Sequence, residues 1–142
     1  MPAESSSAGE TVIVLAAGSE PALQQLRRIL GHSRWTLLEA GSVAQAAAIL
    51  RERPSVVLIC EAVLADGTWK ELLHHTLSLD PPPPLMVTAT HADDELWMEV
   101  LNCGGYNVLA QPLNERELFD SVSLAWRHRK DRPPLRLRAT GS

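Results

Sequence analysis

Aromatic side chains are scarce in this chain: one Phe, one Tyr and four Trp among 142 residues, 4% in all. A core must therefore be built mainly from aliphatic residues, and hydrophobic residues at 45% are enough for one. Cysteine is limited to Cys60 and Cys103. Two cysteines this far apart exclude a zinc knuckle or a disulfide framework, and a reducing cytoplasm suits them. No run of about 18 apolar residues occurs, so a transmembrane helix is not expected. Residues 1–10 (MPAESSSAGE) lack the basic start and apolar run of a signal peptide and read as a disordered leader. The length suits one domain.

Charge is unevenly placed. The total is −4, but residues 127–142 carry six basic side chains (Arg127, Arg129, Lys130, Arg132, Arg136 and Arg138) against one acid, Asp131. The end of the chain is therefore +5 and residues 1–126 are −9. Residues 130–142 read as a basic flexible tail outside a domain at 11–129. The tail has no recognition helix or aromatic interleaving, which argues against nucleic acid as a partner and for a linker or a free end.

Short apolar runs alternate with helical spacings. Residues 11–15 (TVIVL), 35–38 (WTLL), 56–60 (VVLIC), 85–89 (LMVTA) and 106–109 (YNVL) read as strands. Between them, Leu23, Leu26, Ile29 and Leu30 mark a first helix stopped at Gly31, and Ser42 caps a second that ends before Pro54. Asp66-Gly67 marks a turn, and Trp69, Leu72, Leu73 and Leu77 a third helix ended by Pro81–Pro84. Asp93, Asp94 and Glu95 open a fourth helix, where its dipole favours negative charge, and Gly104-Gly105 closes it. Asn114 caps a fifth helix carrying Leu118, Val122 and Ala125. Five β-α units predict a doubly wound α/β domain with a parallel sheet, and its chemistry belongs at the carboxyl ends of the strands.

At those ends the chain resembles the receiver domain of two-component response regulators, over roughly residues 11–129. Glu61-Ala62-Val63-Leu64-Ala65-Asp66-Gly67 falls where the family carries a phospho-accepting Asp, three residues, a Pro and Asp-Gly. Gly104-Gly105 followed by Val108-Leu109-Ala110-Gln111-Pro112 is similar to the family's Gly-Ala turn, fifth strand and Lys-Pro. The resemblance implies the CheY-like (flavodoxin-like) fold, sheet order 2-1-3-4-5, and a role in phosphorelay signalling rather than catalysis.

The same alignment implies a degenerate site. The two acidic residues that would hold Mg²⁺ are matched by Ala16 and Ala17, and the phosphoacceptor by Glu61. The phosphoryl-contacting Thr or Ser is matched by Ala89, or by Thr88 if the register shifts by one. The phosphate-pairing Lys is matched by Gln111 and the aromatic switch by Val108, with Tyr106 two residues early. Phosphoryl transfer depends on neutralising developing charge. Loss of the metal ligands and the cation together predicts a pseudo-receiver that binds Mg²⁺ weakly or not at all, takes no other metal or cofactor, and acts by protein–protein contact. Glu61 reads either as a permanent mimic of the phosphorylated state or as a solvated carboxylate at an unused site. The alternative function is a small-molecule or nucleotide sensor reusing the pocket at Ala16, Ala17 and Gln111.

Other features have plainer readings. Thr90 and His91 lie beside the site; His91 is a loop histidine with no second ligand nearby. His74-His75 point about 100° apart on one helix, too far to chelate. Cys60 reads as buried and inert. Trp97 and Trp126 lie on the last two helices. The resemblance implies that these, with Tyr106, belong to a face of the fourth helix, fifth strand and fifth helix used for partners and homodimers. Val12-Ile13-Val14-Leu15-Ala16-Ala17-Gly18 also resembles the opening of sugar-nucleotide nucleotidyltransferases, but no cation follows until Arg27.

Overall fold

The computed structural model describes residues 12–54 and 56–131. The expected leader and all but the first two residues of the expected tail lie outside them. Five parallel strands form the sheet: β1 (Ile13–Ala17), β2 (Thr36–Ala40), β3 (Val57–Glu61), β4 (Leu85–Ala89) and β5 (Asn107–Ala110). Their order is 2-1-3-4-5, as the resemblance to receiver domains implies. The helices are α1 (Glu20–Leu30), α2 (Val43–Glu52), α3 (Trp69–Leu77), α4 (Asp94–Cys103) and α5 (Glu115–Asp131). Helix α5 thus carries the fold two residues past the expected boundary at 129. No helix among the described residues is long and apolar enough to cross a membrane.

Side-chain alternation along the strands divides the core in two. Leu58 and Cys60 of β3 face one side, with Leu50 of α2, Leu72 of α3 and Val100 of α4. Val57 and Ile59 face the other, with Leu26 of α1 and Leu118 and Val122 of α5. The few aromatics finish the edges: Trp35 packs on Phe119 with ring centroids 4.9 Å apart, and Trp69 is buried at the start of α3.

Four of the five strands run one or two residues further toward their carboxyl ends than the apolar runs predict; β4 alone lies where expected. Parallel ladders are made by backbone groups, so they continue through Ala16, Ala17, Glu39 and Glu61 after the apolar run has stopped.

Local chemistry fixes the elements around the sheet. Ser42 caps α2 by accepting from Gln45 N–H. Thr68 and Glu71 form a capping box at α3, and Val63–Leu64 pairs with Gly67–Thr68 as a small antiparallel hairpin just before it. Helix α4 ends at Gly104 with φ 107°, a left-handed conformation suited to glycine. Gly105 N–H then bonds to Val100 O at 2.8 Å. A Cβ on Gly105 would lie 2.4 Å from Val100 Cγ1, so the second glycine is required by close approach. On the outer edge strand, Glu39 receives Arg27 of α1 through Nε and Nη2 at 2.7 and 2.9 Å.

Candidate functional site

The carboxyl ends of β1, β3, β4 and β5 converge on Glu61, the last residue of β3. Glu61 stands opposite Thr88 in the ladder, and Thr88 opposite Leu109, two residues before Gln111. The Glu61 carboxylate is half-buried and held at both oxygens. Ser19 N–H donates to Oε1 at 2.7 Å, and the Gln111 amide Nε2 approaches Oε2 at 3.4 Å. The same Gln111 nitrogen donates to Thr88 Oγ1 at 3.2 Å. One amide thus joins the ends of β3, β4 and β5. Ser19 is the N-cap of α1, where the helix dipole favours negative charge, so the acid also ties the start of α1 to the sheet.

Gly18 makes room for the longer acid. A Cβ there would sit 3.0 Å from Glu61 Oε1 and 3.1 Å from its Cγ. Asp66 does more than mark a turn. Its two oxygens accept from Val43 N–H at 2.7 Å and Ala44 N–H at 3.1 Å, satisfying orphan donors at the start of α2. These bonds hold the Asp66 carboxyl below the usual carboxylate range. Burial pushes the neighbouring Cys60 thiol up to about 12, and the Glu61 charge pushes in the same direction, so Cys60 stays a protonated, unreactive thiol.

Of the two positions offered for the hydroxyl, Thr88 is buried and bonded to Gln111, whereas Ala89 pairs with Ala110 and carries no hydroxyl. Ala16 and Ala17 lie within β1 rather than after it, both buried, on opposite faces of the sheet. Val108 is buried on the α4 side. Tyr106 packs on the α5 side, its hydroxyl 3.2 Å from His128 Nδ1.

Of the interface candidates, Trp97 is 47% exposed. Trp126 is partly buried and packs against the α1/α5 core. Neighbouring exposed apolar residues missing from the candidates are Met98 on α4 and Leu124 on α5. The exposure of Met98 follows from helical phase, which places it opposite buried Val100 and half-buried Leu96.

A shallow cleft of about 400 Å³ opens beside the carboxylate. It is lined by Ser19, Gln24, Arg28, Glu61, Thr90 and Gln111 among others. Sequence reasoning did not single out Ser19 or Arg28 for this site, and only the converging strand ends bring them to it. The donor set does not fit Mg²⁺, which the fold family implies. Small hard cations need several oxygens, and the one carboxylate lining this cleft, Glu61, is committed to Ser19 and Gln111. Among the described residues no group of three His, Cys, Asp or Glu could hold a metal.

No protein-family profile matches the chain. It is 31% identical over 113 residues to the probable transcriptional regulatory protein TcrX of Mycobacterium tuberculosis, covering 78% of this chain and 47% of that protein. It is 30% identical over 108 residues to the transcriptional regulatory protein DpiA of Escherichia coli K12, covering 75% and 46%. The chain therefore spans about half the length of the curated relatives it matches. Among solved structures it superposes on the signal receiver domain of an HD domain-containing protein from Pseudomonas fluorescens Pf-5. That match has TM-score 0.74 and 26% identity, over 85% of this chain and 90% of that one.

Proposed function

Because this chain is a receiver domain of the response-regulator family, we propose that it is a pseudo-receiver: a cytoplasmic signalling module that is not phosphorylated and acts by protein–protein contact. The observation that carries this reading is the state of Glu61. Its carboxylate is seated on Ser19 N–H and faced by Gln111, in a cleft whose lining offers no second carboxylate. A phosphoryl group would have to displace those contacts and would meet a neutral amide instead of an ammonium. The site is then a fixed node that holds four strand ends and α1 in one arrangement.

Incubation with acetyl phosphate and Mg²⁺ followed by intact mass measurement tests the loss of phosphorylation. An unchanged mass is expected, and a phosphoryl adduct on Glu61 overturns the reading. The surface that meets a partner is the α4–β5–α5 face, and self-association is its simplest use. Trp97 and Met98, adjacent and exposed on α4, with Leu124 exposed on α5, support it, since large apolar residues left in solvent mark contact surfaces. Light scattering is expected to show mass rising with concentration, and Trp97→Ala to abolish the rise; a strict monomer at high concentration counts against self-association.

A further inference from the structure

The exposed face of α4 has a chemical complement elsewhere in the same chain. Trp97 and Met98 are 47% and 57% exposed, and Leu101 extends the patch by one turn from Trp97. Asp94 and Glu95 border it, exposed in the first turn and in no ion pair among the described residues. Glu99 on the flank is engaged by Lys70 of α3. The face is therefore apolar in the middle and anionic at one end. Residues 132–138 read Arg-Pro-Pro-Leu-Arg-Leu-Arg, in which apolar and cationic residues alternate and no acid occurs. When such a sequence is extended, alternation would put Leu135 and Leu137 on one side and Arg136 and Arg138 on the other.

Reach is provided by the end of α5. The Tyr106 hydroxyl meets His128, which sets the last turns of α5 beside the start of β5. Tyr106 follows the Gly104-Gly105 stop of α4 directly. The chain thus leaves α5 at Asp131 near the carboxyl end of α4. From there Leu135 is four residues away, a span of about 13 Å when extended, against about 15 Å for the whole of α4.

We propose that the Arg132–Arg138 segment docks on the α4 face of its own chain, Leu135 and Leu137 covering Trp97, Met98 and Leu101 while Arg136 and Arg138 reach Asp94 and Glu95. Arginine suits this place, because its planar cation can stack on an indole and pair with a carboxylate. The docked segment covers residues of the face offered above to a partner, so segment and partner compete. The docking does not depend on whether Glu61 can be phosphorylated.

Charge exchange in the full chain tests it by ¹H–¹⁵N spectra, with the Trp97 indole resonance assigned through Trp97→Phe. Arg136→Glu with Arg138→Glu is expected to displace the Trp97 indole and the Met98 and Leu101 amides. Salt at about 1 M, where charges are screened beyond about 3 Å, should move them in the same direction. Combining those reversals with Asp94→Lys and Glu95→Lys should return the resonances toward their wild-type positions, and circular dichroism checks that α4 stays helical. Resonances of α4 indifferent to the Arg reversals overturn the proposal. The spectra are taken at a dilution where light scattering gives the monomer mass; reversal shifts that are absent there and appear only on association also overturn the proposal, since the occupant is then a second copy.

Discussion

Shortening Glu61 to aspartate tests the idea that the extra methylene seats this carboxylate. Glu61→Asp withdraws the carboxyl by about 1.5 Å, one carbon–carbon bond. The Ser19 contact of 2.7 Å would then open to about 4 Å, beyond hydrogen-bond range. A hydrogen bond to a charged acceptor is worth about 1.5–3 kcal/mol, and partial solvent access, with water replacing the lost partner, reduces this to about 1 kcal/mol. For a domain of this size that is a fall of about 3–5 °C in Tm. Urea melts of the wild type and Glu61→Asp, each with and without Gly18→Ala, measure it as a cycle. With Glu61 in place the new Cβ meets Oε1 at 3.0 Å and should destabilise, whereas in the Glu61→Asp background the space is free and the cost should shrink. The Ser19 amide should also exchange faster with solvent in Glu61→Asp. The shorter acid restores the family's phosphoacceptor, but with no second carboxylate lining the cleft acetyl phosphate and Mg²⁺ should still leave the variant's mass unchanged. Equal stability of the two acids with unchanged Ser19 exchange would refute the seating argument. A phosphoryl adduct on the Glu61→Asp protein would show that the missing metal ligands are not the block.

Other perturbations read other parts of the fold. Gly105→Ala should cost about 2–3 kcal/mol in urea melts, because its Cβ would press on Val100 Cγ1 in a fully buried setting, and Val100→Ala should recover part of that cost. For Asp66 the folded carboxyl titrates below its ordinary value of about 3.9, so its contribution is complete above that pH and lost as pH falls through the folded value. Wild type should therefore exceed Asp66→Asn by a constant margin near neutrality, and the margin should shrink below about pH 4; a margin unchanged to pH 2 argues against the α2 contacts. Native iodoacetamide should label exposed Cys103 and spare Cys60, both reacting once the chain is unfolded.

Much of the fold was legible because it rests on aliphatic periodicity. The runs at 56–60 and 85–89 and the spacing of Leu23, Leu26, Ile29 and Leu30 specify strand, strand and helix with little ambiguity. Strand limits were less legible, since ladders extend through alanine and glutamate without an apolar signal. At the site, the identities of Glu61 and Gln111 could be read, but not their contacts, whereas Ala16 and Ala17, expected beside them, are buried within β1. Ser19 contributes through its backbone N–H, which carries no side-chain signature, and only the ladder distinguishes Thr88 from Ala89. Asp66-Gly67 looked like a simple turn, because its real partners, Val43 and Ala44, lie more than twenty residues earlier. How far Trp126 is covered is decided by its helical position on α5 rather than by residue type.

The Arg27–Glu39 pair has a bearing on assembly. Strand β2 is one margin of the sheet, and its unpaired backbone groups could recruit another chain's strand. Glu39, one residue before the end of β2, is clamped by a cation from α1, so an incoming strand would meet a fixed charge pair there. At the other margin β5 is only four residues long, and its Asn107 side chain is bonded to Ser121 of α5. Both margins are thus poor templates for sheet extension, which steers this protein away from fibrous stacking and leaves its helices as the surfaces through which copies can meet.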